Sequence, residues 1–339
     1  MKKITIEEHF STDEHLDLIR SILEKNYPIP EVIQEEEFLD IETPFLSSIR
    51  PNADIIKDKL LDIGSGRLRE MDEDGIDMQV LSLISPGVQV FDAATGATIA
   101  KNINNRLAEI VKEYPKRFAG LASIAPQNPN EAAAELERAV CELGLRGASI
   151  NSHVKGEYLD DKKYWIIFET AEKLGVPIYL HPRVPSPDMV KPYLTYPMVA
   201  TAMCGFGAEV NLHALRLICS GLFDEFPGLK IILGHLGEAF PFWLWRVDNI
   251  WARSVVSNKP KKTPSEYIAN NFFITTSGMF WQPALLCSYM ALGADKILFA
   301  VDYPLESNKE AVRSMEELSI CDSDKEKIYH LNAENLFSL

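Results

Sequence analysis

Three stretches decide the reading: Ile4–Phe10 is ITIEEHF, Ile178–Arg183 is IYLHPR and Ile297–Pro304 is ILFAVDYP. Each is a short apolar run that ends in His, Glu or Asp, where a buried strand normally passes straight into turn residues. Three strand ends of this kind in one chain of 339 residues indicate strands that deliver ligands to a common point.

Working outward, eight candidate strands follow in order: Ile4–Glu8, Met78–Ile84, Phe118–Ile124, Gly147–Asn151, Ile178–His181, Ile231–Gly234, Phe273–Thr276 and Ile297–Val301. Helical patterns fill most of the intervals. Asn104–Glu113 carries Leu107, Ile110 and Val111 on one face. Pro129–Leu143 starts with Asn130-Glu131 as its cap, and Tyr164–Leu174 stops at Gly175-Val176-Pro177. Strands alternating with helices imply a parallel sheet, and an eightfold alternation fits a closed (β/α)8 TIM barrel of about 250 residues plus insertions. The excess falls in 11–60 after the first strand and 182–205 after the fifth, so residues 1–339 are expected to form one domain. Both insertions leave strand C-termini, the face on which barrels build active sites. An open doubly wound sheet is the rival, but no G-x-G-x-x-G follows an early strand.

Composition narrows the function. A net charge of −15 argues against nucleic acid, whose binding rests on clustered Lys and Arg. The five cysteines (Cys141, Cys204, Cys219, Cys287, Cys321) form no C-x-x-C pair and no N-terminal apolar region precedes the first strand. Reduced thiols in a cytoplasmic protein are expected. No apolar stretch approaches the roughly 20 residues that span a bilayer, so no membrane insertion is expected.

Period-two alternation from Thr5 places Glu7 and His9 on one face, two ligands one pleat apart, with Ile4, Ile6 and Glu8 on the other. Glu8 then serves packing or a salt bridge. His181 ends the fifth strand and Asp302 follows the eighth. Alone, the Glu-Glu-His end could be a polar strand end, His181 a hydrogen-bonded structural residue and Asp302 the start of a turn; together, Glu7, His9, His181 and Asp302 suit one Zn2+ or Mn2+ with a position left open. His235 ends the sixth strand in GHLGE, and Glu238 either orients its imidazole or begins a helix. His153 follows the fourth strand and Phe10 follows His9; each is a candidate substrate contact or an ordinary loop or core residue. The aromatic-rich stretch Phe240–Trp251 is either a helix docked on the barrel or in part a subunit interface.

In order and spacing, EEHF at Glu7, MDEDGIDMQVLSL at Met71, YPKRFAGLASIAPQNP at Tyr114, LHPR at Leu180, GHLGE at Gly234 and FAVDYP at Phe299 resemble the amidohydrolase-related metal-dependent decarboxylases. That family includes enzymes for 2,6-dihydroxybenzoate, 2,3-dihydroxybenzoate, 5-carboxyvanillate and aminocarboxymuconate semialdehyde. The Glu-x-His start matches its benzoate decarboxylases, whereas most hydrolytic members begin His-x-His. The resemblance implies metal ligands at Glu7, His9, His181 and Asp302, a catalytic His235 beside Glu238, and Arg246 as the arginine that meets the substrate's acid group. It further implies a carboxy-lyase acting on a small aromatic carboxylate with an ortho hydroxyl, ring protonation by Asp302, and a homodimer or homotetramer. The alternative is metal-assisted hydrolysis of a lactone or amide. A two-metal hydrolase is disfavoured, since the fourth strand, Gly147–Asn151, carries no bridging lysine.

Overall fold

The computed structural model describes residues 1–24, 53–193, 195–255 and 259–339. Nine strand segments run parallel to their neighbours: β1 (Ile4–Phe10), β2 (Met78–Leu83), β3 (Phe118–Gly120), β4 (Ala122–Ser123), β5 (Ala148–Asn151), β6 (Ile178–His181), β7 (Ile231–Leu233), β8 (Phe272–Thr275) and β9 (Ile297–Leu298). β3 and β4 are two halves of one strand. Leu121 N donates to Leu81 O on one side at 2.9 Å, and Ala122 N donates to Gly147 O on the other at 2.8 Å. The ring closes where Ile6 N donates to Phe299 O at 3.1 Å and His9 N to Tyr303 O at 2.7 Å. The result is the eight-stranded closed barrel expected from the alternation.

Side-chain alternation sorts the core into two layers. Ile6, Val80, Leu121, Tyr179, Ile232 and Leu298 meet in one buried cluster, the barrel interior, sealed at its N-terminal end by Ala333 and Phe337 of the last helix. The intervening residues, among them Leu81, Ile150, Leu180, Leu233 and Ile274, face the helices in the larger outer cluster.

β1 departs from simple alternation. Ile6 pairs with Val80 and Glu8 with the next residue, Leu81, so Glu7 is an extra residue in the strand, and its φ is +76°. Such a bulge resets the pleat. Ile4 and Ile6 therefore lie inside the barrel, Glu8 lies outside, and His9, in register with Ser82, returns to the interior. The expectation that Thr5 shares the inner face with Glu7 and His9 is corrected: the two ligand-type residues reach the same point because the strand is broken between them and Thr5.

Several boundaries also shift. The helix expected from Asn104 runs Ala93–Glu113, because Asp92 accepts from Ala94 N and Thr95 N and starts it eleven residues earlier. Asn128, not Asn130-Glu131, caps the helix Pro129–Cys141. The insertion after β1 begins with the helix Asp13–Glu24 and ends with Ala53–Leu61; its remainder, 25–52, lies outside the described residues. The insertion after β6 is tied down by a buried network. Glu209 accepts from Ser152 Oγ (3.1 Å), Tyr158 OH (3.0 Å) and Ser186 N (3.3 Å), while His213 Nε2 accepts from Leu159 N at 3.0 Å. His15 plays the same part after β1, bridging Ser11 Oγ at 2.8 Å and Gly87 O at 3.1 Å.

Burial pushes the His15 imidazole down to about 4 and the His213 imidazole down to about 3, against about 6.5 in the unfolded chain. Both folded values are depressed, so their stabilisation is complete above pH 6.5 and is lost as pH falls towards 4. Each should add a slope of about 1.4 kcal/mol per pH unit in that window. Denaturant melts from pH 7 to pH 4 should show His15→Gln losing one such slope; an unchanged acid slope would contradict the assignment.

Candidate metal centre

Glu7, His9, His181 and Asp302 each offer a ligand atom, and the four atoms lie within 4.8 Å of one another at the C-terminal mouth of the barrel. Strand register explains the convergence. His181 is the last residue of β6, two after the interior Tyr179. Asp302 follows Ala300 on the interior face beyond β9, and its backbone is held at φ +79°.

The donor set fits a divalent cation. Glu7 Oε1, His9 Nε2 and Asp302 Oδ1 are buried without a hydrogen-bond partner, an arrangement costly in a folded protein unless another ligand satisfies it. His181 Nδ1 is taken by Pro182 O at 2.8 Å, which leaves Nε2 facing Glu7 Oε1 at 3.4 Å. His9 Nδ1 meets Ser82 Oγ at 3.3 Å, leaving Nε2 turned to Asp302 Oδ1 at 3.1 Å. Holding one imidazole nitrogen frees the other for a metal. Two carboxylates and two imidazoles suit Mn2+ or Zn2+.

Glu7 is held from its far side. Its Oε2 accepts hydrogen bonds from Tyr179 OH, from Ser277 Oγ and, at 2.9 Å, from Thr275 Oγ1. One oxygen is thus saturated and the other turned to the cluster. Burial acts to raise the Glu7 carboxyl, but His235, His181 and His9 together outweigh it and keep the group ionised well below the usual carboxylate range. Gly234 makes the approach possible: a Cβ there would lie 2.9 Å from Glu7 Oε1 and 3.0 Å from Tyr179 OH.

His235 and Glu238 sit on a left-handed turn. His235, Leu236, Gly237, Glu238 and Ala239 have φ of 48°, 57°, 73°, 52° and 66°, a conformation that costs about 1–2 kcal/mol for each L-residue. Of the two readings of Glu238, the helix start gives way to this turn. The turn is held by Gly237 N donating to Gly234 O at 2.7 Å, His235 N to Ser277 Oγ at 3.1 Å and Asn211 Nδ2 to Glu238 O at 2.7 Å. It places Glu238 Oε1 2.6 Å from His235 Nδ1, with His235 Nε2 3.7 Å from Asp302 Oδ2 and 3.5 Å from Glu7 Oε1. Burial alone would lower the His235 imidazole, yet Glu7 and Glu238 hold it protonated well above its ordinary range. Asp302 is shifted the other way: burial raises it, but His235 and His9 pull its carboxyl below the usual value.

Above the cluster opens a cavity of about 620 Å3, reached by Asp302, His235 and Glu238 and walled by Phe206, Leu215, Trp243 and Met279. Its size suits a small ligand. Phe10 is wholly buried in the outer core, and both ring nitrogens of His153 are occupied, by Val184 O and Gly156 N, each at 3.1 Å. Arg246 is exposed on the helix Phe240–Arg253. None of these three lines the cavity. The reading from sequence passed over Tyr179, Thr275 and Ser277. Their signal was present: Tyr179 is one pleat before His181, and Thr275-Thr276-Ser277 is a hydroxyl run at a strand end.

The amidohydrolase family model matches residues 15–339. A γ-resorcylate decarboxylase from Polaromonas sp. is 39% identical over 99% of this chain and 98% of its own length. Among solved structures, 5-carboxyvanillate decarboxylase from Sphingomonas paucimobilis superposes with a TM-score of 0.93 at 38% identity, covering 100% and 99% of the two chains. The 5-carboxyvanillate decarboxylase of Novosphingobium aromaticivorans, complexed with manganese and 4-hydroxy-3-methoxy-5-nitrobenzoic acid, superposes at 0.92 with 35% identity over 100% and 96%.

Removing two of the three O–H donors on Glu7 in a Tyr179→Phe/Ser277→Ala variant should lower Mn2+ affinity about 10–100-fold. Calorimetric titration on protein with an unchanged circular-dichroism spectrum reads the effect. Unaltered affinity would mean that the hydroxyls merely fill space.

Proposed function

The chain belongs to the amidohydrolase family, and from that premise we propose that it is a metal-dependent, non-oxidative decarboxylase of a hydroxybenzoate-type aromatic acid. One observation carries the reading: Asp302 belongs both to the ligand cluster and to the wall of the cavity, with His235 behind it. Full-length similarity to two kinds of benzoate decarboxylase supports it. Mn2+ is the preferred ion, in keeping with the manganese of the Novosphingobium enzyme. Held by Glu7, His9, His181 and Asp302, it would supply Lewis acidity and bind the substrate's carboxylate and ortho oxygen.

The chain's own groups then manage one proton. Loss of CO2 directly from an aromatic ring would leave an sp2 carbanion. Protonating the carbon that bears the carboxylate avoids that species: a C–H bond forms, the C–C bond breaks, and its electrons restore the ring as CO2 departs. His235, protonated and held by Glu238, hands the proton to the ionised Asp302, which passes it to the ring carbon. This order removes the conflict between an anionic ligand and a neutral acid, because Asp302 is protonated only in transit. Phe206, Trp243 and Met279 offer the ring an apolar slot. The hydrolytic reading, with the same groups activating water on a lactone or amide, has weaker support: full-length decarboxylases reach 38–39% identity to this chain, a full-length solved structure named only as an amidohydrolase 31%.

Three coarser features complete the proposal. Residues 1–339 act as one domain. The unpaired cysteines fit a cytoplasmic setting, and no described helix is long and apolar enough to cross a membrane. Phe242 and Trp245 on one helix, Met290 on the adjacent one and Trp281 at its N-terminal cap are 76%, 76%, 83% and 68% exposed, an apolar surface suited to a homodimer or homotetramer. Arg246 lies among them and outside its own chain's cavity, so its carried-over role at the substrate acid group requires a second copy.

In D2O, Mn2+-loaded protein given ortho-hydroxybenzoates should release a phenol deuterated where the carboxylate stood, seen by proton NMR. Asp302→Asn should cut kcat about 10²–10⁴-fold; full activity with metal retained, or silence across the panel, would overturn the reading. Phe242→Glu/Trp245→Glu should convert the oligomer to a monomer in light scattering, and a wild-type monomer would remove the oligomer from the proposal.

A further inference from the structure

Glu8 carries a carboxyl group that is wholly buried and absent from the proposed reaction. Its side chain leaves β1 on the face opposite His9. Oε1 accepts from Val301 N at 3.0 Å and Oε2 from Tyr303 N at 3.2 Å. Those two amides flank Asp302, whose φ of +79° is one that an L-residue keeps only when its surroundings over-determine it.

Arg67, equally buried, forms the other half of the unit. Its Nη2 donates to His9 O at 2.6 Å and Lys59 O at 3.1 Å, its Nε donates to Asp62 O at 3.1 Å, and its guanidinium carbon stands 4.6 Å from the Tyr303 ring centroid. Burial pushes the Glu8 carboxyl up to about 8, with the Val301 and Tyr303 amides and the Arg67 charge acting against that rise. The backbone carrying His9 and the backbone carrying Asp302 are therefore gripped from behind by one carboxyl group and one guanidinium. Stability alone is a poor account of such a pair, since apolar residues of similar volume often serve a core as well.

We propose that Glu8 and Arg67 are positioning residues, which fix the separation and direction of His9 and Asp302 and so set the bite of the metal site. The inference rests on the four-residue cluster binding a divalent ion, but not on which substrate is turned over.

The test compares wild type with Glu8→Gln, which keeps the volume but offers one strong acceptor where two amides need one each. Glu8→Asp is the companion variant should the first fail to fold. Mn2+ affinity by titration should fall about 10–100-fold, with an altered Mn2+ paramagnetic-resonance line shape. In metal-free protein, hydrogen exchange should rise within residues 297–305 while the rest of the barrel is unaffected. Variants that lose only melting temperature, and bind Mn2+ with wild-type affinity and line shape, would overturn the inference with the reaction intact. Wild type that binds Mn2+ but decarboxylates nothing would sink the reaction and leave this inference standing. Wild type that binds no Mn2+ would overturn both.

Discussion

The site depends on a single extra residue in β1. Parallel pairing with β2 forces side chains to alternate, and uninterrupted alternation would send Ile4, Ile6 and Glu8 into the barrel and His9 out to the helices. The bulge at Glu7 breaks that phase after the two isoleucines have filled the interior. Apolar packing below and metal chemistry above can then share one seven-residue strand. Everything else at the mouth is arranged around that change of phase: hydroxyls from β6 and β8 anchor Glu7, and the strand's return to register brings His9 beside Asp302.

The cluster concentrates polar cost where apolar matter surrounds it. Three partnerless buried ligand atoms, a run of left-handed residues from His235 to Ala239 and the positive φ at Asp302 are all unfavourable taken singly. They persist because the barrel beneath is filled by residues in ordinary conformations, with Glu8, Arg67, Asn211 and Ser277 tying the strained segments to it. Strain and stability are thus divided along the barrel axis, the C-terminal face bearing one and the interior and N-terminal end supplying the other.

Much of this was legible in the sequence, for a physical reason. Short β-branched runs bounded by turn chemistry locate strands well, so all eight were placed to within a few residues, and ligand-type residues at strand ends mark a barrel mouth. What was hidden is what period and propensity do not encode. A bulge leaves no trace in alternation, so Thr5 was assigned to the wrong face although Glu7 and His9 were paired. A left-handed turn is invisible in His-Leu-Gly-Glu-Ala, where only one residue favours it. The cavity wall formed by Phe206, Leu215 and Trp243 comes from helices distant in sequence, and only tertiary packing assembles it.

The way Glu7 is held has a consequence for what sets its direction. An acidic ligand that swings freely is brought into place by the ion it binds, and an empty site then collapses or wanders. Here three hydroxyls and a tightly apposed glycine orient the carboxylate from within the fold. The direction of the Glu7 carboxylate is thus written into the polypeptide, so the side of the site that faces a ligand is set by strand geometry and hydroxyl placement.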